Sequence, residues 1–370
     1  MKLVLLLVLL SVGNNSTFAH TTKIDSLHTA LSKVTSDSER LTLMLNLIEE
    51  LINVDLEQAL QYTSQALNLS RQLGDRAQEA LALRYTGLTL YDTDNERPSS
   101  LFYFEESERI AEALNLGKLQ VHNLMSIANF HRYVSRDSVK VLDNFIKSAE
   151  ISKEINFHWG TGRSYAKLAS FYTKYNQIDL CEHYLELAAK HYVKHPDGLK
   201  TIAHYYNEVG DKLWDVNPIK SMELYFKSKE YKVIPNTMVS LAKAHSYIGD
   251  NEIAINYLEE AIPHFEKTEK RRRMLGVAIA QLAEVYVKKG EYEAAKQACD
   301  EGIELLIRSG KTDQRAMPVF YRLKGIIMEH EGNDEAALEY YIKSQKEAKR
   351  VKFAFARIKA NLAIGNFYST

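Results

Sequence analysis

Cysteine is scarce: Cys181 and Cys299 are the only two among 370 residues. Neither has a second Cys at CxxC spacing or a His at ligand spacing, so the sequence offers no structural zinc site and no disulfide framework. Proline and glycine are also few, six and sixteen. No stretch alternates apolar with polar residues, which excludes a sheet protein, and no Pro/Gly/Ser-rich linker divides the chain. Neither sign of charge dominates, with 47 basic against 48 acidic residues, which argues against nucleic acid or an anionic membrane as the main partner. Phosphate-binding loops are missing too. Gly310-Lys311-Thr312 lacks the earlier Gly such a loop needs, Trp159-Gly160-Thr161-Gly162 lacks the third, and neither follows a strand.

One long apolar run is present, and it lies at the start. MKLVLLLVLLSVGNNSTFA carries one Lys, apolar residues from Leu3 to Val12, then Thr17-Phe18-Ala19 with small residues where a signal peptidase reads them. The run is too short to span a bilayer, and nothing later in the chain approaches about 18 apolar residues. Residues 1–19 are therefore expected to be a signal peptide and the mature chain to start near His20, exported to the periplasm or beyond. No Cys adjoins the cleavage site, so a lipid anchor is not expected. No membrane insertion is expected after cleavage.

What remains, about 350 residues, exceeds one compact core by the usual size rule. It does, however, repeat. Small residues recur at Gly87, Ala128, Ala169, Gly210, Ala242, Ala283, Gly325 and Gly365, with Leu47 in the corresponding place of the first unit; the spacings are 40, 41, 41, 41, 32, 41, 42 and 40. Each except Gly365 is followed by a second amphipathic stretch with two sites, small everywhere but at Val141, and a larger residue between them, Thr63 being the weak exception. Ser100-Phe104-Ser107, Ser221-Tyr225-Ser228, Ala295-Cys299-Gly302 and Ala337-Tyr341-Ser344 show the pattern. Antiparallel helices packed ridge into groove need small residues at the crossing and a bulky one to fill the hole beside it.

The stretch from Gly276 to Gly310, broken at Lys289-Gly290-Glu291, is the clearest copy: Leu282, Ala283 and Tyr286 on one helix, Ala295, Cys299 and Gly302 on the next. It resembles the tetratricopeptide repeat, which places Leu-Gly-x2-Tyr on its first helix and Ala-x3-Phe on its second. The resemblance runs from about Ser38 to the C-terminus. It implies an all-α fold, a right-handed superhelical solenoid of antiparallel helix pairs. The expected division is a capping segment over 20–37, eight helix pairs over 38–352, and the first helix of an incomplete ninth repeat over 353–370. Ile24, Leu27, Leu31 and Val34 form a stripe suited to covering the open end of the first repeat. Pro98, Pro218 and Pro318 stand where helices should begin, with Asn217 as a cap. His195-Pro196-Asp197-Gly198 reads as a loop, and Pro263 should kink a second helix.

Candidate chemistry thins out on this frame. Cys181 and Cys299 fall about three repeats apart and are expected as free, buried thiols. His131 and His245 replace the first-helix tyrosine and are expected as half-buried rings with a local hydrogen bond. His183 and His191 stand eight apart, too far to share an ion. No catalytic set, metal site or cofactor is expected, and the chain does not read as an enzyme.

The resemblance also implies that first helices line a concave face. Offsets of −6, −3, +1 and +4 from each small site then mark the residues facing it. The first repeats present Leu41, Met44, Ile48, Leu51, Leu81, Leu88 and Tyr91, and the seventh Val277, Ala280 and Val287. The middle repeats present His122, Asn129, Arg132, Arg163, Ser170, His204, Asn207, Asp211, Trp214, Asn236 and Lys243. Asn can pair with backbone amides, Arg with carboxylate, and Trp offers contact area at small entropic cost. A merely solvated face is the alternative. The expected function is a non-catalytic scaffold in the bacterial envelope holding a protein or peptide. The second reading is the sensory region of a longer signalling protein, a histidine kinase or transcriptional regulator. The chain's last helix, Ile364-Gly365-Asn366-Phe367-Tyr368 included, repeats the first-helix signature with no second helix after it, so an exposed apolar patch is expected there, for a partner or a missing segment.

Overall fold

A computed structural model of the chain describes residues 15–52, 54–93, 97–266, 272–308 and 315–369. Among these residues every regular element is helical. The chain divides into two compact units, 1–202 and 203–370. The first holds α1 (Asn15–Lys33), α2 (Asp37–Leu51), α3 (Leu56–Leu73), α4 (Arg76–Asp92), α5 (Ser100–Ala113), α6 (Gly117–Phe130), α7 (Ser138–Glu154), α8 (His158–Tyr172), α9 (Ile178–Tyr192) and the start of α10 (Gly198–Leu213). The second holds the rest of α10, then α11 (Pro218–Tyr231), α12 (Pro235–Ile248), α13 (Asn251–Glu266), α14 (Arg272–Lys289), α15 (Tyr292–Arg308), α16 (Met317–His330), α17 (Asp334–Arg350) and α18 (Ala354–Phe367). Within each unit neighbouring helices pack side by side, the arrangement of tetratricopeptide-like solenoids.

Helix starts follow the cap chemistry. The side chains of Asp55, Asp75, Asp137, Asn217 and Asn333 accept from backbone N–H groups two or three residues on, satisfying donors the helix cannot. Pro218, Pro235 and Pro318 sit in first turns, where a missing N–H costs nothing. Pro263 lies inside α13, which runs past it to Glu266.

The sequence treats the recurring serines only as small. The structure gives them hydrogen bonds. In four repeats the second-helix serine donates to the first-helix carbonyl seven residues before the small site. Ser107 reaches Ala80 O at 2.6 Å, Ser228 reaches Ala203 O at 2.7 Å and Ser344 reaches Pro318 O at 2.7 Å, whereas Ser148 reaches Val121 O at 3.3 Å. The three shorter bonds belong to the pairs built on Gly87, Gly210 and Gly325, and the longer one to Ala128. Each glycine faces the filling ring. A Cβ on Gly87 would lie 2.6 Å from Phe104 and one on Gly210 2.6 Å from Tyr225, and one on Gly325 would collide with Tyr341. These rings are buried.

Three of these serines also meet the next repeat, at the residue five before its small site. Asn123 donates to Ser107 Oγ at 2.8 Å, and Ser148 pairs with Ser164, and Ser228 with Thr237, both at 2.8 Å. Where the second small site is Gly302, that residue is Phe320, which fills the space a side chain would take.

At the N-terminal end, Ile24, Leu27 and Leu31 of α1 pack on Leu47, Leu51 and Ala59, as a covering stripe should. Here one expectation is corrected. Leu41, Met44, Ile48 and Leu51 are buried among neighbouring helices and line no open face, because α1, α3 and α4 close over that repeat with Leu31, Tyr62, Leu67 and Leu81. Of the expected leader, residues 1–14 lie outside the described residues, and Thr17-Phe18-Ala19 falls within α1. Gly310-Lys311-Thr312 also lies outside them.

Candidate functional site

The first helices of the second unit bring their charged and aromatic side chains to one cleft. Trp214, just past the end of α10, stacks on Tyr225 with ring centres 6.0 Å apart and meets the edge of Tyr247 at 5.5 Å. Its free side receives Lys243 of α12, whose Nζ stands 4.2 Å above the ring, a cation–π arrangement strengthened by partial desolvation. Burial brings the Lys243 ammonium down to about 8, against the pull of Asp211, Asp215 and Glu284 in the other direction. Among the described residues Lys243 makes no ion pair, so this half-buried cation is left for something else.

Next to it, Glu284 of α14 is bracketed by Arg322 of α16 at 2.9 Å and Lys359 of α18 at 3.6 Å. Burial would raise its carboxyl, and the two cations more than offset that, holding it below the ordinary value. Lys288 donates to Ser246 O and Oγ at 3.1 and 2.8 Å, which fixes it on the same wall. Gln281 points a buried Oε1 with no hydrogen-bond partner into this region.

Two adjoining cavities of about 210 and 350 Å³ share Asp215, Lys243, Gln281, Glu284, Phe355 and Lys359. Together their walls hold six cations, Lys243, Lys288, Lys359, Arg273, Arg315 and Arg322, against two carboxylates, Asp215 and Glu284. Trp214, Val277, Val319, Phe353 and Phe355 supply the apolar part. That excess of four positive charges sits in a chain whose formal net charge is −1. The cleft is chemically suited to an anionic, partly apolar ligand.

Of the residues singled out from sequence, Trp214, Lys243, Val277 and Ala280 line these cavities. Asp211 does not point a free carboxylate at them: it accepts from Tyr225 Oη at 2.8 Å, Ser240 Oγ at 3.1 Å and Asn207 Nδ2 at 3.2 Å. Protein crowded around Asp211 raises its carboxyl although part of the residue still meets solvent. Asn207 is a correction, being only 4 % exposed, with a buried Oδ1 that has no partner. His204 is exposed and Asn236 half-buried, and neither lines the cleft.

In the first unit, Arg132 donates to Ser170 O and Oγ at 3.0 and 3.2 Å and, with Tyr133, Phe171 and Lys174, lines a cavity of about 340 Å³. His122 lies edge-on to Phe157, and burial, then Arg84 and Arg163, push its imidazole down to about 4. Asn129 is half-buried and Arg163 exposed.

Sequence reasoning passed over Glu284, Arg322 and Lys359. All three fall on the groove offsets, at +1 from Ala283, −3 from Gly325 and −6 from Gly365, so the signal was there. It also missed Arg84, whose Nη1 donates to His122 O at 2.9 Å and Ser126 Oγ at 3.0 Å. His131 is buried with Nδ1 2.7 Å from Ser135 Oγ, and His245 has Nδ1 3.3 Å from Asp250. His191 pairs with His158, their Nδ1 atoms 3.2 Å apart. Both cysteines are buried and neither is in a disulfide, and burial pushes the Cys299 thiol up to about 12. Among the described residues no three His, Cys, Asp or Glu side chains converge as a metal site, and no helix is long and apolar enough to cross a membrane.

The tetratricopeptide-repeat family model matches residues 278–305, within α14 and α15. Among solved structures, the apo form of RapI is similar, with 15 % identity over 89 % of this chain and 97 % of that one and a TM-score of 0.58. A signal-transduction ATPase with a tetratricopeptide repeat sensor, from Pyrococcus horikoshii, is similar at 16 % identity over 93 % of this chain and 54 % of that one, TM-score 0.51. At such identities the likeness speaks for the fold. No curated protein matches the chain.

Proposed function

We propose that this tetratricopeptide-repeat protein is a non-catalytic scaffold that holds an acidic peptide, or an acidic segment of a protein, against the first helices of its second unit. The observation that carries the reading is the cleft around Trp214 and Lys243, with its six cations, its apolar walls and the unpartnered Gln281 Oε1. Ligand carboxylates would meet Lys243, Arg322 and Lys359 through charge-assisted hydrogen bonds, and an apolar side chain would lie between Trp214 and Phe355. The leader-like residues Leu3 to Val12 support export, and the bacterial envelope as the place of action.

The test is selection of ten-residue peptides from a display library on the purified protein. Recovered sequences should be rich in Asp and Glu beside a large apolar residue, and Trp214→Ala and Lys243→Met should each weaken them tenfold or more without loss of helical circular dichroism. Recovered peptides with no acidic bias, or affinities indifferent to both substitutions, would sink the assignment. For the location, the full-length gene product should appear in a periplasmic or secreted fraction, shortened at its N-terminus; full-length protein confined to the cytosol would refute export.

A further inference from the structure

The cavity of about 340 Å³ in the first unit lies where the end of α6, the start of α7 and the end of α8 meet, and it shares no residue with the cleft around Trp214. Its wall carries three cations, Arg132, Arg136 and Lys174, and no carboxylate. Arg132 is held in place through Nη2, which donates to Ser170 O and Oγ, while its Nε and Nη1 have no partner among the described residues. Among those residues none of the three cations makes an ion pair. Asp137, next along the chain, spends its Oδ1 on the N–H groups of Val139 and Lys140, both at 3.1 Å. The Ser138 hydroxyl accepts from Tyr175 Oη, which leaves its own proton to donate into the cavity. Val141 and Phe171, both buried, supply an apolar floor.

The backbone departs from the other repeats at the same place. α6 ends in a π-helical turn, His131–Ser135, the only one among the described residues, and such turns gather at functional sites. Arg136 then takes φ 56°, a left-handed conformation that a side chain of this kind adopts only at a cost. The corresponding turns of four other repeats, also at positive φ, hold Asn176, Gly249, Gly290 and Gly332, residues that tolerate it. The turn itself therefore does not call for arginine. A guanidinium kept at a strained position, on the wall of a cavity, points to a ligand.

We propose that this cavity binds a phosphate monoester carried on an aromatic group, with the phosphate among Arg132, Arg136 and Lys174 and the ring on Val141 and Phe171. Three cations without a counter-ion call for more than one negative charge, which a phosphate monoester brings at neutral pH and a carboxylate does not. Guanidinium forks match phosphate oxygens two at a time, and the Ser138 hydroxyl adds a neutral donor. A free aryl phosphate and a phosphotyrosine side chain present the same chemistry to this wall.

The probe is phenyl phosphate, titrated calorimetrically into the full chain in physiological salt, with inorganic phosphate and benzoate as comparisons. Phenyl phosphate should bind saturably and at least fivefold tighter than either, since one lacks the ring and the other the second charge. Arg136→Gly should weaken it tenfold or more while thermal melting holds or rises, because glycine takes the left-handed turn without strain. Lys174→Met should weaken it severalfold, and Lys243→Met, in the second unit, should change nothing. A capped Gly-phosphotyrosine-Gly peptide that binds as tightly would trace the phosphate to a protein side chain, and its exclusion would trace it to a free small molecule. Three outcomes overturn the proposal: no saturable heat up to millimolar phenyl phosphate, equal affinity for benzoate, or an affinity that falls with Lys243→Met and not with Arg136→Gly.

Discussion

Gly302→Ala and Gly365→Ala make the same chemical change at two helical glycines, one packed and one open, and their effects should differ in sign. A methyl at Gly302 would fall within the ring of Phe320, with Cε2 at 2.7 Å and two further ring carbons closer still, where carbon atoms normally keep about 3.5 Å or more. Phe320 cannot retreat easily, being fully buried in a cluster with Cys299, Leu323 and Ile327. Overpacking of this kind costs roughly 1–3 kcal/mol, and the helix-propensity gain of Gly to Ala offsets about 1 kcal/mol. The expected net loss is about 0–2 kcal/mol. At Gly365 only the gain applies, reduced near a helix end, so stability should rise by up to about 1 kcal/mol. The assay is urea unfolding followed at 222 nm, comparing midpoints, because a chain of stacked repeats need not unfold in one step. Phe320→Leu should recover part of the loss in the Gly302→Ala background and not in the Gly365→Ala one. Equal shifts of the two midpoints, or a more stable Gly302→Ala, would refute the packing argument.

Lys243 titrates near 8 when folded and higher when unfolded, so the unfolded chain binds more protons above pH 8 and stability should rise from pH 8 towards 10, an increment that Lys243→Met abolishes. Affinity for an acidic peptide should fall as pH rises from 7 to 9 and lose that dependence in the same variant, as calorimetric titration would read. Glu108 is buried with neither carboxylate oxygen partnered, and burial pushes its carboxyl up to about 7. Its folded state therefore holds a proton that the unfolded state has lost, so stability should fall by roughly 3 kcal/mol between pH 4.5 and 7 and stay level above; Glu108→Gln should flatten that slope in urea midpoints. Trp214→Ala should weaken acidic peptides while lowering the urea midpoint only modestly, because the ring is half-buried on Tyr225.

The helical class and the place of each first helix were legible because ring-and-gap packing forces small residues to recur along the chain. Gly87, Gly210 and Gly325 announce themselves that way. The hydroxyls were not legible. Ser107, Ser148, Ser228 and Ser344 look like small residues until the carbonyls of Ala80, Val121, Ala203 and Pro318 are placed beside them. The candidate cleft was half readable. Trp214 and Lys243 emerged from the offsets, but attention to polar middle repeats drew the eye from Glu284, Arg322 and Lys359, which satisfy the same offsets in later repeats. Asn207 failed for a different reason. A groove offset fixes direction from the helix axis and not depth, and Asn207 turns in to donate to Asp211.

The contacts at the residue five before each small site bear on how freely such a chain can be rearranged. Ser107 meets Asn123, Ser148 meets Ser164, Ser228 meets Thr237, and Gly302 meets Phe320. At these four junctions a repeat meets its successor through a distinct pairing, polar with polar or void with ring. Transplanting the module that begins with Phe320 behind Ser228 would drive a ring into a hydroxyl, and placing Thr237 behind Gly302 would leave a hole and an orphaned donor. The modules look interchangeable in outline, yet at these four junctions their order is constrained, so arrays shuffled there should fold only where the two facing residues are exchanged as a pair.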